Sequence, residues 1–169
     1  INIDGVGEWA TLTIYDFNKS QFKLLKEMKY PNSIGILYSA FTYFLGFKVN
    51  SGEYKLMGLA PYAVSNLELV EEYYQKLKSE VVSVHADGSI SLNGEYFAYA
   101  YSYKMIKVDR LKNLFGFGKR EEEGKIEEHH YCLAMALQQL TEEVVLGMAR
   151  HAKEITGLSK ICLAGGVAL

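Results

Sequence analysis

Asp4-Gly5-Val6-Gly7-Glu8 sets acidic side chains among glycines, a composition that lets the backbone come close to a phosphate while a carboxylate holds a metal ion. In an arbitrary sequence, a plain Asp-Gly hairpin turn is the commoner source of such a string. Near the other end, Leu163-Ala164-Gly165-Gly166-Val167-Ala168 has the form strand, glycine pair, helix start. Main-chain N–H groups and a helix dipole could there face a nucleotide phosphate or the adenosine. A tight crossover turn has the same form, and the string alone favours that reading.

Between these two lies a longer signal. Tyr38-Ser39-Ala40-Phe41-Thr42 leads into Leu45-Gly46-Phe47-Lys48-Val49-Asn50-Ser51-Gly52-Glu53-Tyr54-Lys55-Leu56-Met57-Gly58-Leu59-Ala60-Pro61-Tyr62, an order that no simple periodicity demands. Glu53 and Lys55 are residue types that contact ribose hydroxyls and phosphate, although such a pair in a glycine-rich loop more often makes a surface ion pair of little energetic worth. His129 and His130 are adjacent, so on a helix they point in different directions and lack the i, i+4 spacing that chelates one ion. His85 and His151 are isolated, and each reads as packed or solvated.

These residues need elements to position them. Ala10, Leu12 and Ile14 alternate with Thr11, Thr13 and Tyr15, which predicts a half-buried strand over Trp9 to Tyr15. A second strand over Phe22 to Met28 should pair with it across Asp16 to Ser20. Ile34, Leu37, Tyr38, Phe41, Phe44 and Leu45 recur at helical spacing, started by Pro31-Asn32-Ser33 and stopped by Gly46. Asn66 can cap a helix striped by Leu67, Val70, Tyr74 and Leu77. Asp87-Gly88 between Val82, Val84 and Ile90, Leu92 signals a hairpin. Residues 96–125 carry no firm signal. From Ile126, the stripe Leu133, Leu137, Leu140, Val144, Met148, Ala152 and Ile155 predicts a long helix ended by Gly157, and Lys160 to Ala164 a short strand. The fold class expected is α/β.

Composition narrows the function. In 169 residues, 49% are hydrophobic, enough for a sizeable core, and 18 basic against 20 acidic residues give a net charge of -2. That balance offers no positive field for nucleic acid. No apolar run reaches the roughly 18 residues that span a bilayer, which predicts a protein of the cytoplasm. Cys132 and Cys162 lack metal-ligand spacing and read as buried thiols. The chain opens on Ile1 within a β-like run and closes on Leu169 after the glycine turn, so a single partial domain over 1–169, truncated at both ends, is expected.

The 38–62 run resembles the hallmark of the carbamoyltransferases that act on nodulation factors, cephem antibiotics and the aminoglycoside tobramycin. Ile3-Asp4-Gly5-Val6-Gly7-Glu8-Trp9 and Leu163-Ala164-Gly165-Gly166-Val167-Ala168-Leu169 match the same family in the same order. The resemblance implies a first domain like the tRNA threonylcarbamoyl-transfer protein, within the superfamily of actin, sugar kinases and heat-shock ATPases. It implies transfer of a carbamoyl group from carbamoyl-adenylate, made from carbamoyl phosphate and ATP, to a hydroxyl of a small molecule. By that likeness Asp4 holds a divalent metal, iron or magnesium. Gly5, Gly7, Glu8, Gly52, Glu53 and Lys55 approach nucleotide, and Gly165 and Gly166 line its adenosine side. Arg120 could touch a phosphate. The family's metal-binding HxxxH pair, its later aspartate and its adenylate-forming C-terminal domain have no counterpart in these residues, which implies an inactive piece. Where the family has glycine after Pro-Tyr, Ala63 stands here. The competing expectations are a sugar kinase or ATPase of the same superfamily, and a nucleotide-binding module without catalysis.

Overall fold

The structure is a computed structural model, and it describes residues 1–18, 20–102 and 104–168. Lys19, in the expected turn, Tyr103 and Leu169, the last residue of the matched motif, lie outside the described residues. By its contacts the chain divides into one unit of Ile1–Leu37, Val84–Leu92 and Glu142–Leu169, and another of Tyr38–Ser83 and Asn93–Thr141.

In the first unit, β1 (Asn2–Ile3), β2 (Ala10–Asn18) and β3 (Gln21–Lys29) make an antiparallel sheet in the order β1-β2-β3. Ile3 pairs with Leu12, and Thr13 with Glu27. Alternation places Leu12 and Ile14 in the core as expected, but Thr11 and Thr13 are buried too, at 1% and 6% exposure. Both faces of β2 are therefore covered over residues 11–14. Thr11 is satisfied by its hydroxyl, which donates to the carbonyls of Asn32 (2.5 Å) and Met28 (3.3 Å). The other edge of β1 meets Ala164 through a parallel bridge to Asn2, which makes the arrangement mixed. Around that bridge residues 160–164 form no regular strand, and Ile161 and Leu163 are exposed.

Ser33 starts α1 (Ile34–Phe44), its hydroxyl accepting from Ile36 N–H at 3.0 Å. The helix ends at Gly46, whose φ of 72° and close approach to the Arg120 carbonyl admit no side chain. The glycine-punctuated loop that follows contains a short helix, α2 (Glu53–Leu59), and a 3₁₀ segment over Ala60–Ser65. Asn66 caps α3 (Leu67–Lys76), accepting from Leu69 N–H at 3.1 Å. Its buried stripe runs through Val70, Tyr73 and the following Leu77, while Leu67 is exposed. A π-helical turn over Leu77–Val81 then gives way to the two-stranded sheet of β4 (Val82–Val84) and β5 (Ile90–Leu92).

Asp87 organises the hairpin loop by accepting from Ser89 N–H and pairing with Lys26. The unassigned stretch holds α4 (Val108–Phe115), ended by Gly116 at φ 84°. Finally α5 (Glu128–Thr156) runs 29 residues to Gly157, and every member of its expected stripe is buried except Ile155. The second unit has an aromatic core in which Phe41 and Tyr73 both meet Phe115 edge-on, pairs worth about 0.5–1.5 kcal/mol each beyond their burial. The molecule is thus mixed α/β with small sheets and, among the described residues, five α-helices. Among those residues no helix is long and apolar enough to cross a membrane.

Candidate functional site

The Asp4 turn forms where the β1–β2 ladder runs out. Asp4 N–H still donates to Thr11 O (3.0 Å), after which the chain leaves the sheet and Gly5 N–H folds back onto Asp4 Oδ1 at 2.7 Å. Gly7 has φ of 51°, and a Cβ there would lie 2.5 Å from Ala10 O, so the turn requires glycine at that point. At Gly5 a Cβ would meet nothing within 4 Å, which leaves that side of the turn open. Glu8 is exposed. Trp9 closes the loop with φ of 81°, a rare conformation for a bulky side chain. Its carbonyl accepts from Tyr30 N–H, and its indole, 69% exposed, stands edge-on to the Tyr30 ring.

The glycine pair arrives beside this turn from the far end of the chain. Ile3 N–H donates to Ala164 O (2.8 Å), Ala164 N–H to Ile1 O (3.0 Å), and Val167 N–H to Ile3 O (3.2 Å). Gly165 has φ of 95°, and its missing Cβ would fall 2.2 Å from Ile3 O. A Cβ on Gly166 would sit 3.6 Å from Asp4 Oδ1, so the Asp4 carboxylate looks directly onto the second glycine. Past Gly166 the described residues make a turn, with Ala168 N–H donating to Gly165 O. Two motifs read separately in the sequence thus form one junction, in which the acidic turn and the glycine turn touch.

Gly52, Glu53 and Lys55 belong to the other unit. Both oxygens of the Glu53 carboxylate are engaged: Oε1 accepts from Ser39 Oγ (2.7 Å) and Asn50 N–H (2.9 Å), Oε2 from Gly52 N–H (3.1 Å). Burial pushes its pKa up, but these hydrogen bonds outweigh burial and hold it below the usual carboxylate value. Gly52 is needed there because a Cβ would collide with Lys48 O at 2.7 Å. Lys55 is exposed.

Arg120 is buried, and its guanidinium donates to the carbonyls of Leu45, Gly46 and Gly124, so its donors are directed at the backbone. His129 and His130 turn towards each other, their Nε2 atoms 3.1 Å apart, against the divergence expected of neighbours on a helix. They sit at the very start of α5, where the His130 ring is held by Glu127 N–H donating to Nδ1 (2.8 Å) and by Phe117. Cys162 is exposed rather than buried, whereas Cys132 is buried as expected.

Among the described residues no three His, Cys, Asp or Glu side chains converge as a metal would require. Asp4 offers one carboxylate, already accepting from its own turn, so these residues do not by themselves make a metal centre. An apolar cleft of about 510 Å³, lined by Ile14, Tyr15, Phe17, Phe22, Ala152 and Ile161 among others, contains none of the candidate residues.

Ser33 and Gly35 were not singled out by sequence reasoning beyond the start of a helix. Yet Ser33 Oγ lies within hydrogen-bond distance of the Asp4 and Gly5 carbonyls, and Gly35 packs on Gly5. A serine before an apolar helical stripe signals a cap, and nothing local says what else the hydroxyl reaches.

The family model described as carbamoyltransferase N-terminus matches residues 1–169. An uncharacterized protein of Synechocystis is 42% identical over 167 residues, 99% of this chain and 26% of that protein. The nodulation protein NolNO of Sinorhizobium fredii is 30% identical over 172 residues, 99% of this chain and 22% of its own length. The nodulation protein NolO of Bradyrhizobium diazoefficiens is 29% identical over 168 residues, 98% of this chain and 27% of its own length. The chain therefore spans about a quarter of the length of the curated relatives it matches.

Proposed function

The chain belongs to the carbamoyltransferase family, as its N-terminal region, and from that premise we propose that it is the nucleotide-binding core of an ATP-dependent O-carbamoyltransferase. The observation that carries the nucleotide reading is the contact between the Asp4-Gly5 turn and the Gly165-Gly166 turn. One face of that junction is stripped of side chains, so backbone can approach a phosphate closely, and one carboxylate looks across it. Gly5 leaves the approach open, and Gly7 and Gly165 allow the two bends that no other residue fits. The actin-like arrangement implied by the resemblance suits a nucleotide held between turns of this kind. Gly52, Glu53 and Lys55 are proposed as nucleotide contacts on the strength of the family resemblance, and hydrogen bonds from Ser39, Asn50 and Gly52 favour the ionised form of Glu53.

In the proposed reaction the acceptor oxygen bonds to the carbamoyl carbon of carbamoyl-adenylate. The bond from that carbon to the AMP phosphate oxygen breaks, AMP leaves with the electron pair, and the hydroxyl proton passes to solvent. Water first splits carbamoyl phosphate into carbamate and phosphate, and a carbamate oxygen then bonds to the α-phosphorus of ATP as the bond to pyrophosphate breaks, giving the adenylate. Asp4 is proposed as a single ligand of a divalent ion whose remaining ligands come from elsewhere. The acceptor is proposed to be a hydroxyl-bearing small molecule, as the resemblance to carbamoyltransferases of nodulation factors, cephems and tobramycin implies.

The test supplies the protein, as its gene encodes it, with ATP, labelled carbamoyl phosphate and a panel of polyhydroxylated acceptors. AMP formed only when carbamoyl phosphate is present, with label appearing on an acceptor, is the outcome expected. ADP formation with phosphoryl transfer would replace this reading with a kinase.

A further inference from the structure

Ser33 is wholly buried, yet a helix cap asks of it only a lone pair for Ile36 N–H. Its hydroxyl has one proton left to give, and two carbonyls stand in front of it: Gly5 O at 2.6 Å and Asp4 O at 3.1 Å. The proton is shared, with Gly5 the closer acceptor. These carbonyls belong to consecutive peptide planes, so holding both fixes the backbone rotation at Gly5, the residue between them. Gly5 N–H lies in that held segment and donates to Asp4 Oδ1. The orientation of the carboxylate therefore follows from where Ser33 holds the turn. Gly35 brings the helix into place for this, since a Cβ on it would lie 2.8 Å from Gly5 Cα and 2.9 Å from Gly5 N. With glycine on both sides, the first turn of α1 lies against the acidic turn without a side chain between them.

We infer that Ser33 is a positioning residue for the nucleotide site, its hydroxyl presetting the Asp4-Gly5 turn in the shape that receives phosphate. The inference rests on the nucleotide reading above. A pure cap would serve helix stability alone and leave ligand affinity untouched. A positioning hydroxyl makes the turn's conformation part of binding, because an unheld turn must be ordered by the ligand at the ligand's expense.

The experiment uses MgATP as the probe, with calorimetry and steady-state kinetics of carbamoyl transfer on the protein as its gene encodes it. Ser33→Gly separates the two roles, because glycine is tolerated at a helix N-cap with little loss but has no proton to donate. Ser33→Thr keeps both lone pair and proton. Expected are a dissociation constant for MgATP raised about fivefold in Ser33→Gly and restored in Ser33→Thr, the loss of one hydrogen bond's worth of preorganisation. In turnover, KM for ATP should rise in Ser33→Gly while kcat at saturation holds. Circular dichroism confirms the fold of each variant, and if Ser33→Gly does not accumulate folded, Ser33→Cys, nearly isosteric with a weak donor, takes its place. A folded Ser33→Gly that binds MgATP like the parent, while Asp4→Asn binds it less well, overturns the positioning role alone. A parent protein that binds no MgATP overturns the functional reading and this inference with it.

Discussion

Gly165 and Gly166 are adjacent and chemically identical, but their surroundings assign them opposite tolerances. A methyl on Gly165 would meet Ile3 O at 2.2 Å, on a backbone at φ 95° where side chains are strained. Gly165→Ala should therefore cost about 1–3 kcal/mol of stability from backbone strain alone, and more from the collision. A methyl on Gly166 comes to an ordinary 3.6 Å from Asp4 Oδ1. Gly166→Ala should leave the unfolding free energy from urea titration within about 1 kcal/mol of the parent's while screening the carboxylate and weakening MgATP binding. Urea unfolding of both variants checks the first contrast; equal destabilisation would refute it. Asp4, Gly165 and Gly166 were legible as candidates through the family resemblance, since each string alone reads as an ordinary turn. Their contact was not legible, since the hydrogen bonds that bring Ile3 beside Ala164 join residues at opposite ends of the chain.

At the level of elements, periodicity spoke where an element is long and one-sided. The α5 stripe from Leu133 to Ala152 is buried at each expected position, and Asn66 caps α3 as its type suggests. α2 escaped notice because seven residues with a glycine inside them barely complete two turns, and its start is held by the Glu53 carboxylate, a tertiary arrangement with Ser39 and Asn50. The start of α5 carries a pH dependence of its own. An ordinary histidine titrates near 6.5, whereas His130 is held down to about 4, chiefly by burial and further by the neighbouring His129 and Arg120. Between those values the unfolded chain takes up a proton that the folded chain refuses, so stability rises with pH across the window. The contribution is complete above about pH 6.5 and is lost as pH falls towards 4. His130→Gln, which does not titrate, should flatten the fall in thermal midpoint over this interval. A variant profile parallel to the parent's would show that His130 is not the cause.

For the molecule as a whole, the α/β class was legible because strand and helix periods alternate along the chain. The division into two units was not, since each unit gathers segments from distant parts of the sequence. The two thiols were read alike and differ: Cys132 is enclosed and its pKa is raised by burial and then by Glu128, while Cys162 is exposed. An aromatic disulfide reagent should therefore label one thiol per native chain rapidly and the second only on denaturation. Rapid native labelling of both would place Cys132 in solvent. Trp9 has a further consequence. It is the single tryptophan of the sequence, and it stands 69% exposed on the loop that begins with Asp4. Selectively excited indole emission from these 169 residues thus originates on the loop that begins with Asp4. With Trp9 in solvent beside Tyr30, that light should be red-shifted and open to collisional quenchers, and the protein carries at its acidic turn a built-in optical reporter that needs no label.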